Sequence, residues 1–197
     1  MKSLKEEWDR DYRTIPLEEI PWHTGKPEKI LVELVEKGGI EKGKVMDLCS
    51  GDGTNSIYLA SQGFEVSGVD ISPAAVKIAG KACAEKGVKC DYKSGDVLKL
   101  NTKGKYDFVF DRGCFHHIPP GKKKKYVEIA AGLLNKKGKM LLFCFSDKNR
   151  GLEKALSKQD IKEYFGKDFD IKFIRETTHK EPGGSRMFLY SVFMEKF

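Results

Sequence analysis

The chain has no apolar run near the roughly 20 residues that a membrane-spanning helix requires. Its opening residues, "MKSLKEEWDRDYR", lack the apolar segment of a secretory signal, so a cytoplasmic location is expected. No CxxC pair occurs. The five cysteines (Cys49, Cys83, Cys90, Cys114 and Cys144) are odd in number and dispersed, which predicts reduced thiols rather than a disulfide framework. No aromatic residues alternate with the lysines, so the net charge of +7 comes without the stacking platform of a single-strand nucleic-acid binder. The one dense run, Lys122–Lys125, reads as a solvated helix face, and neither a nucleic acid nor a membrane is expected as partner. There is no internal repeat, low-complexity tract or linker. The 197 residues therefore suit one domain, with 1–43 as an N-terminal cap and helix and 44–197 as the core.

What is present is an alternation of short strands and amphipathic helices. Strands are expected at 44–49, 64–71, 88–97, 106–111 and 139–145. Helices are expected over 27–39, from about Thr54 to Gln62, from the Ser72-Pro73 cap, from Pro120 to the stop at Lys136-Lys137-Gly138, and over 157–166, where Ser157 and Asp160 are spaced as a cap. Two longer runs, 169–178 and 186–197, are joined by "HKEPGG" with no helix between them and must be antiparallel neighbours. The expected fold is α/β: a doubly wound, mostly parallel, seven-stranded sheet with the last strand antiparallel.

In such a sheet the ligand lies beyond the carboxyl ends of the strands. "VMDLCSGDGTNS" (45–56) occupies that position, and Gly51 and Gly53 allow a ligand close to the backbone. Two ligands compete for it. "GDGTNS" can be fitted to the dinucleotide fingerprint, with Ser56 in place of its last glycine. A pyrophosphate there would face like charge on Asp52, which is unfavourable in a partly desolvated site. S-adenosylmethionine has no phosphate; its sulfonium and ammonium suit a loop flanked by Asp47 and Asp52. Asp70 closes the second strand 23 residues after Asp47, where an acid can bond a ribose, a feature shared with nicotinamide-dependent proteins. Asp96, in "SGDV", can accept from an adenine amino group or cap its own loop.

"DLCSGDG", "VDIS", "SGDV" and "YDFVFD", with the reversed last strand, resemble class I S-adenosylmethionine-dependent methyltransferases over nearly the whole chain. The resemblance implies a Rossmann-like fold and S-adenosylmethionine as cofactor, with S-adenosylhomocysteine as product. It implies Asp47, Gly51 and Gly53 at the methionine end and Asp70 with Ile71 at the ribose. Asp96 with Val97 would meet the adenine, and Asp111 would close the fourth strand beside the cofactor. The family's first loop usually reads Asp-x-Gly-x-Gly-x-Gly, so Cys49 departs from it at the first glycine. "PWHTGKPEKILVELV" and "FDRGCFHHIPPGKKKKY" resemble the thiopurine S-methyltransferase and halide/thiol methyltransferase group. There a tryptophan-containing segment folds over cofactor and substrate, and Trp22 and Thr24 are the matching positions; Trp22 also suits packing of an N-terminal arm.

Methyl transfer to a soft nucleophile requires mainly a near-attack geometry without water. The loop "DRGCFHHIPP" offers Arg112 to steer an anion or pair with an acid, and His116 and His117 as bases or as packing residues. Cys114, His116 and His117 lie too close in sequence to converge on one metal ion, and no metal site is expected. The Asn/Asp-Pro-Pro-Tyr/Phe signature of amine methylation on nucleic-acid bases is absent after the fourth strand. The acceptor is therefore expected to be a small molecule, first a thiol. An O- or N-methyltransferase with a histidine base, a nicotinamide-dependent oxidoreductase and a non-catalytic cofactor-binding protein are the alternatives.

Overall fold

The computed structural model describes residues 3–101, 106–181 and 184–197, so Pro182 and Gly183 of the expected Pro-Gly turn lie outside the described residues. The chain divides into two compact units, Met1–Lys99 and Leu100–Phe197. The first contains α1 (Leu4–Thr14), α2 (Lys29–Glu36), β1 (Lys44–Leu48), α3 (Thr54–Ser61), β2 (Glu65–Asp70), α4 (Pro73–Glu85) and β3 (Cys90–Ser94). The second contains β4 (Tyr106–Arg112), α5 (Lys123–Leu133), β5 (Leu134–Phe145), α6 (Lys158–Phe165), β6 (Phe169–Lys180) and β7 (Arg186–Lys196). The strands make a seven-stranded sheet in the order β3-β2-β1-β4-β5-β7-β6. β1–β2, β2–β3 and β4–β5 pair in parallel, while β7 runs antiparallel to both β5 and β6. The doubly wound, mostly parallel sheet with a reversed last strand is the expected architecture.

Local chemistry explains the elements. Ser72 caps α4 by accepting from Ala75 N–H at 3.1 Å, with Pro73 at the first helical position. Ser157 and Asp160 form the expected reciprocal capping box at the start of α6. The core of the second unit is aromatic: Phe108, Phe110, Phe115, Tyr126, Phe143, Phe165 and Phe169 are fully buried. Each such side chain contributes about 1.5–3 kcal/mol by leaving water.

Several expectations change. α1 has no counterpart among the expected helices; Ser3 and Glu6 form a capping box at its start, and its buried residue is Tyr12. β3 is shorter than 88–97 because the chain turns after Ser94, where Gly95 N–H binds Asp70 O at 2.9 Å and Asp96 caps the next turn. α5 ends at Leu133, not at Gly138: Leu134 already pairs with Tyr106, and the ladder resumes at Phe108–Lys139 after an irregularity that accommodates Lys137 at φ +63°. Lys123 is buried, unlike a residue of a solvated face; its ammonium donates to Phe115 O at 2.6 Å and lies over the Phe115 ring. The thiols are also corrected. Cys83, Cys90 and Cys144 are free, but Cys49 and Cys114 are each disulfide-bonded, a linkage for which dispersed cysteines give no spacing signal. Among the described residues, no helix is long and apolar enough to cross a membrane.

Candidate active site

In the first unit the loop after β1 is built by carboxylates that bind its own donors. Asp47, buried on β1, accepts from Ser56 Oγ at 2.6 Å. Asp52 accepts from Thr54 N–H at 2.8 Å and Thr54 Oγ1 at 2.6 Å, and lies 2.6 Å from His23 Nδ1. Burial raises the Asp52 carboxyl, but the bonds from His23 and Thr54 outweigh it and hold the group below the usual carboxylate range. Asp70, at the end of β2, accepts from Gly51 N–H at 3.0 Å and, through its other oxygen, from Ser72 N–H at 2.9 Å. Burial pushes the Asp70 carboxyl upward against those bonds. The Ile71 N–H is a third backbone donor to this carboxylate, which keeps acceptor capacity beyond the bonds it already accepts because its two oxygens together offer about four lone-pair sites. Ile71 follows at the bend, and its carbonyl accepts from Ser94 Oγ at 3.4 Å.

Both loop glycines are required. Gly51 has φ +55°, and a Cβ there would lie 2.6 Å from the Tyr12 hydroxyl. Gly53 has φ +80°, and a Cβ there would meet the Tyr92 hydroxyl at 2.5 Å. Cys49, at the position where the family places its first glycine, also adopts a positive φ of 55°. That conformation is about 1–2 kcal/mol unfavourable for a non-glycine residue.

The N-terminal segment closes against this loop. Trp22 Nε1 donates to Tyr12 Oη at 2.8 Å, and the Trp22 ring packs edge-on against Trp8 at 4.8 Å and Tyr12 at 5.9 Å. The structure therefore brings Trp22, by way of Tyr12, to Gly51. Thr24 instead donates to Lys26 O at 2.7 Å within a turn. Asp96 accepts from Leu98 N–H at 2.9 Å, which makes it the cap of the short turn Val97–Lys99, with Val97 buried. Tyr12, His23 and Tyr92 stand at this loop without a motif that announces them. The spacing of Trp8 and Tyr12, four residues apart on one helical face, is the available signal for the first.

In the second unit, Asp111, next to last in β4, is fully buried and accepts from Cys114 N–H at 2.7 Å, Phe115 N–H at 3.1 Å and the Tyr126 hydroxyl. Burial raises its carboxyl to about 7, against those bonds and the nearby Lys123 ammonium. Asp111 thus shapes its own loop. Arg112 Nη2 lies 3.4 Å from His179 Nδ1. His116 is buried, stacks on Phe145 at 3.8 Å and receives the Phe145 N–H on Nδ1 at 3.2 Å. His117 has its Nδ1 3.1 Å from Lys154 Nζ. Burial and then the cations Lys154 and Lys123 hold the His117 imidazole down at about 4. Burial, His117, Lys123, Lys154 and Arg112 hold His116 well below the ordinary imidazole value. His179 and Lys154 join the site from segments distant from the β4 loop in sequence, where no spacing rule points to them.

Residues 45–138 match a methyltransferase domain. A methyltransferase of Schizosaccharomyces pombe is 32% identical over 121 residues, which cover 60% of this chain and 82% of that protein. The 2-heptyl-1-hydroxyquinolin-4(1H)-one methyltransferase of Mycobacteroides abscessus is 26% identical over 131 residues, 64% of this chain and 57% of that protein. A probable thiol methyltransferase of Arabidopsis thaliana is 28% identical over 127 residues, 64% of this chain and 56% of that protein. The chain thus spans little more than half the length of these last two. Magnesium protoporphyrin IX methyltransferase from Synechocystis PCC 6803, solved with bound S-adenosylmethionine, superposes with a TM-score of 0.70 at 20% identity over 100% of this chain and 86% of that one. The chain belongs to the methyltransferases. Its fold is that of the S-adenosylmethionine-dependent members, and the oxidoreductase alternative falls away.

Proposed function

We propose that the chain transfers a methyl group from S-adenosylmethionine to a small-molecule acceptor, a thiol or a comparably soft nucleophile. The observation that carries the donor is the Asp70 carboxylate. It anchors the N–H groups of Gly51, Ile71 and Ser72 and keeps acceptor capacity at the end of β2, where an acid can bond a ribose hydroxyl. Asp47 and Asp52 keep the field at the glycine loop negative, which suits a sulfonium and an ammonium and opposes a diphosphate. When bound, the cofactor supplies an electrophilic methyl carbon. The chain's own residues bind and orient: Asp70 and Ile71 at the ribose, Asp96 and Val97 at the adenine, Tyr12 and Trp22 closing the methionine end. Asp111 shapes the acceptor loop on which Arg112, His116 and His117 stand.

The acceptor class is supported by the small-molecule and thiol names of two relatives and by the "PWHTG" and "DRGCFHH" segments. A cytoplasmic location goes with this reading and is tested by cell fractionation. Calorimetry with S-adenosylmethionine and with NAD tests the donor: micromolar uptake of the first and none of the second is expected. A panel of thiols, amines and phenols, read by S-adenosylhomocysteine formation, tests the acceptor. Product with amines alone would remove the thiol reading.

A further inference from the structure

Within the first unit, α1 reaches two of the donors that fix the Asp70 carboxylate. Gly51 N–H holds one oxygen of that carboxylate and Ser72 N–H the other, and the two donors stand on separate loops. The Tyr12 hydroxyl stands against Gly51, where a Cβ would lie 2.6 Å from it. Asp9, three residues earlier and so about 4.5 Å back along the helix axis, meets the second loop. Its Oδ1 accepts from Ser72 Oγ at 3.0 Å and from Ala74 N–H at 2.9 Å. One turn of one helix thus spans both anchors.

The chemistry of Ser72 gives this link a direction. An ionised carboxylate can only accept, so the one proton of the buried Ser72 hydroxyl goes to Asp9. A lone pair of the same oxygen takes Ala75 N–H at 3.1 Å, so capping of α4 and the tie to α1 coexist. Ser72 gives its N–H to Asp70 and its hydroxyl to Asp9, and a displacement of α1 reaches Asp70 through this single residue. The Ala74 N–H, then Ser72 and the cations Arg13 and Lys5, hold the Asp9 carboxyl below the usual carboxylate range against slight burial. Arg13, one turn on, pairs with its other oxygen at 2.7 Å. Apolar packing seats the same helix: Tyr12, Ile20 and Ala75 form a buried cluster with Trp22 and Ala74 packed against it.

We propose that Asp9 is a positioning residue for the methyl donor: by tying α1 to the start of α4, it holds Gly51 and Ser72 at the spacing that orients the Asp70 carboxylate for a ribose. This rests on the methyltransferase reading and adds to it a residue that touches no substrate. The terminal torsion of an aspartate is broad and two-fold, so the plane of its carboxylate is set by the donors it meets. Loosening either loop lets that plane turn, and a ribose hydroxyl then meets an acceptor of no fixed direction. No bond forms or breaks in this role; Asp9 acts through Ser72 on Asp70.

Amide hydrogen exchange of the full chain, without cofactor, reads the link directly. In Asp9→Ala the Gly51 and Ser72 amides are expected to exchange about 10-fold faster, while those in the middle of β1 keep their wild-type rates. S-adenosylmethionine affinity, measured by calorimetry at a temperature where the variant is folded, is expected to fall about 10-fold. Asp9→Asn keeps an acceptor oxygen and should restore most of that loss. In an Asp70→Asn background, Asp9→Ala should cost less than about twofold, because the carboxylate it serves is gone. A loss of equal size in both backgrounds would reduce Asp9 to a fold-stabilising cap and overturn the proposal. Wild-type affinity with wild-type exchange in Asp9→Ala would overturn it as well. Should Asp9→Ala not fold, Ser72→Ala, which removes the hydroxyl and keeps the N–H, is read in the same cycle with the same outcomes. Failure of the methyltransferase reading looks different: the wild type itself takes up no S-adenosylmethionine, although the exchange difference at Gly51 and Ser72 persists.

Discussion

The loop after β1 and the loop after β4 are two turns of opposite chemistry. In the first, Asp47, Asp52 and Asp70 point acceptors inward and bind the loop's own N–H and hydroxyl groups. In the second, the single acid, Asp111, is fully buried, and the imidazoles of His179 and His117 lie beside the Arg112 guanidinium and the Lys154 ammonium. An acid-lined turn favours a cationic methyl donor, and a donor-lined turn favours an anionic acceptor. The contrast teaches that charge is segregated between turns within a chain whose overall charge, +7, reports neither.

The largest expected effect breaks the acid side. Asp70→Ala leaves Gly51 N–H and Ser72 N–H without their acceptor and removes the proposed ribose anchor, so S-adenosylmethionine affinity is expected to fall about 100-fold by calorimetry. If acceptor KM changes by the same factor, the two turns are not separable. Arg112→Met breaks the donor side: loss of a charge-assisted contact raises KM for an anionic acceptor about 10-fold or more and leaves cofactor affinity in place.

Asp111→Asn sharpens the comparison through pH. The folded carboxyl titrates at about 7, above its unfolded value, so the native state holds an extra proton between about pH 4 and 7. Its contribution to stability is fullest below about pH 4 and is lost as pH rises to about 7. Denaturant unfolding of wild type minus the Asn variant should show that fall, then a plateau. A flat difference from pH 4 to 8 would mean that Asp111 is ionised throughout. The smallest effect is Tyr12→Phe: Trp22 Nε1 loses its acceptor, and cofactor affinity drops about fivefold, equivalent to about 1 kcal/mol. No change would show that Tyr12 contributes packing alone.

Much of the fold is legible in the amino-acid order alone. The strand at 44–49, the glycine turn, the acid ending the next strand and the Ser72-Pro73 cap are short-range patterns, and each stands within a few residues of its expected place. The antiparallel pairing of the last two strands follows from the missing helix between them. α1 is hidden because its charged residues outnumber its apolar ones, so only Trp8 and Tyr12 mark the inner face. The break at Leu133 is hidden because Leu134 fits a helical stripe as well as it fits a strand.

The sequence by itself determined the sheet, the order of its connections, and the turns that follow its strands, because periodicity, glycine and proline act over a few residues. Only the tertiary structure decided what each polar group does there. It gave Asp111 to its own loop, Asp52 to His23, and the Nδ1 atoms of His116, His117 and His179 to Phe145 N–H, Lys154 and Arg112. A hydrogen bond has a direction and a reach near 3 Å, so the identity of its partner is settled by folding and not by spacing along the chain.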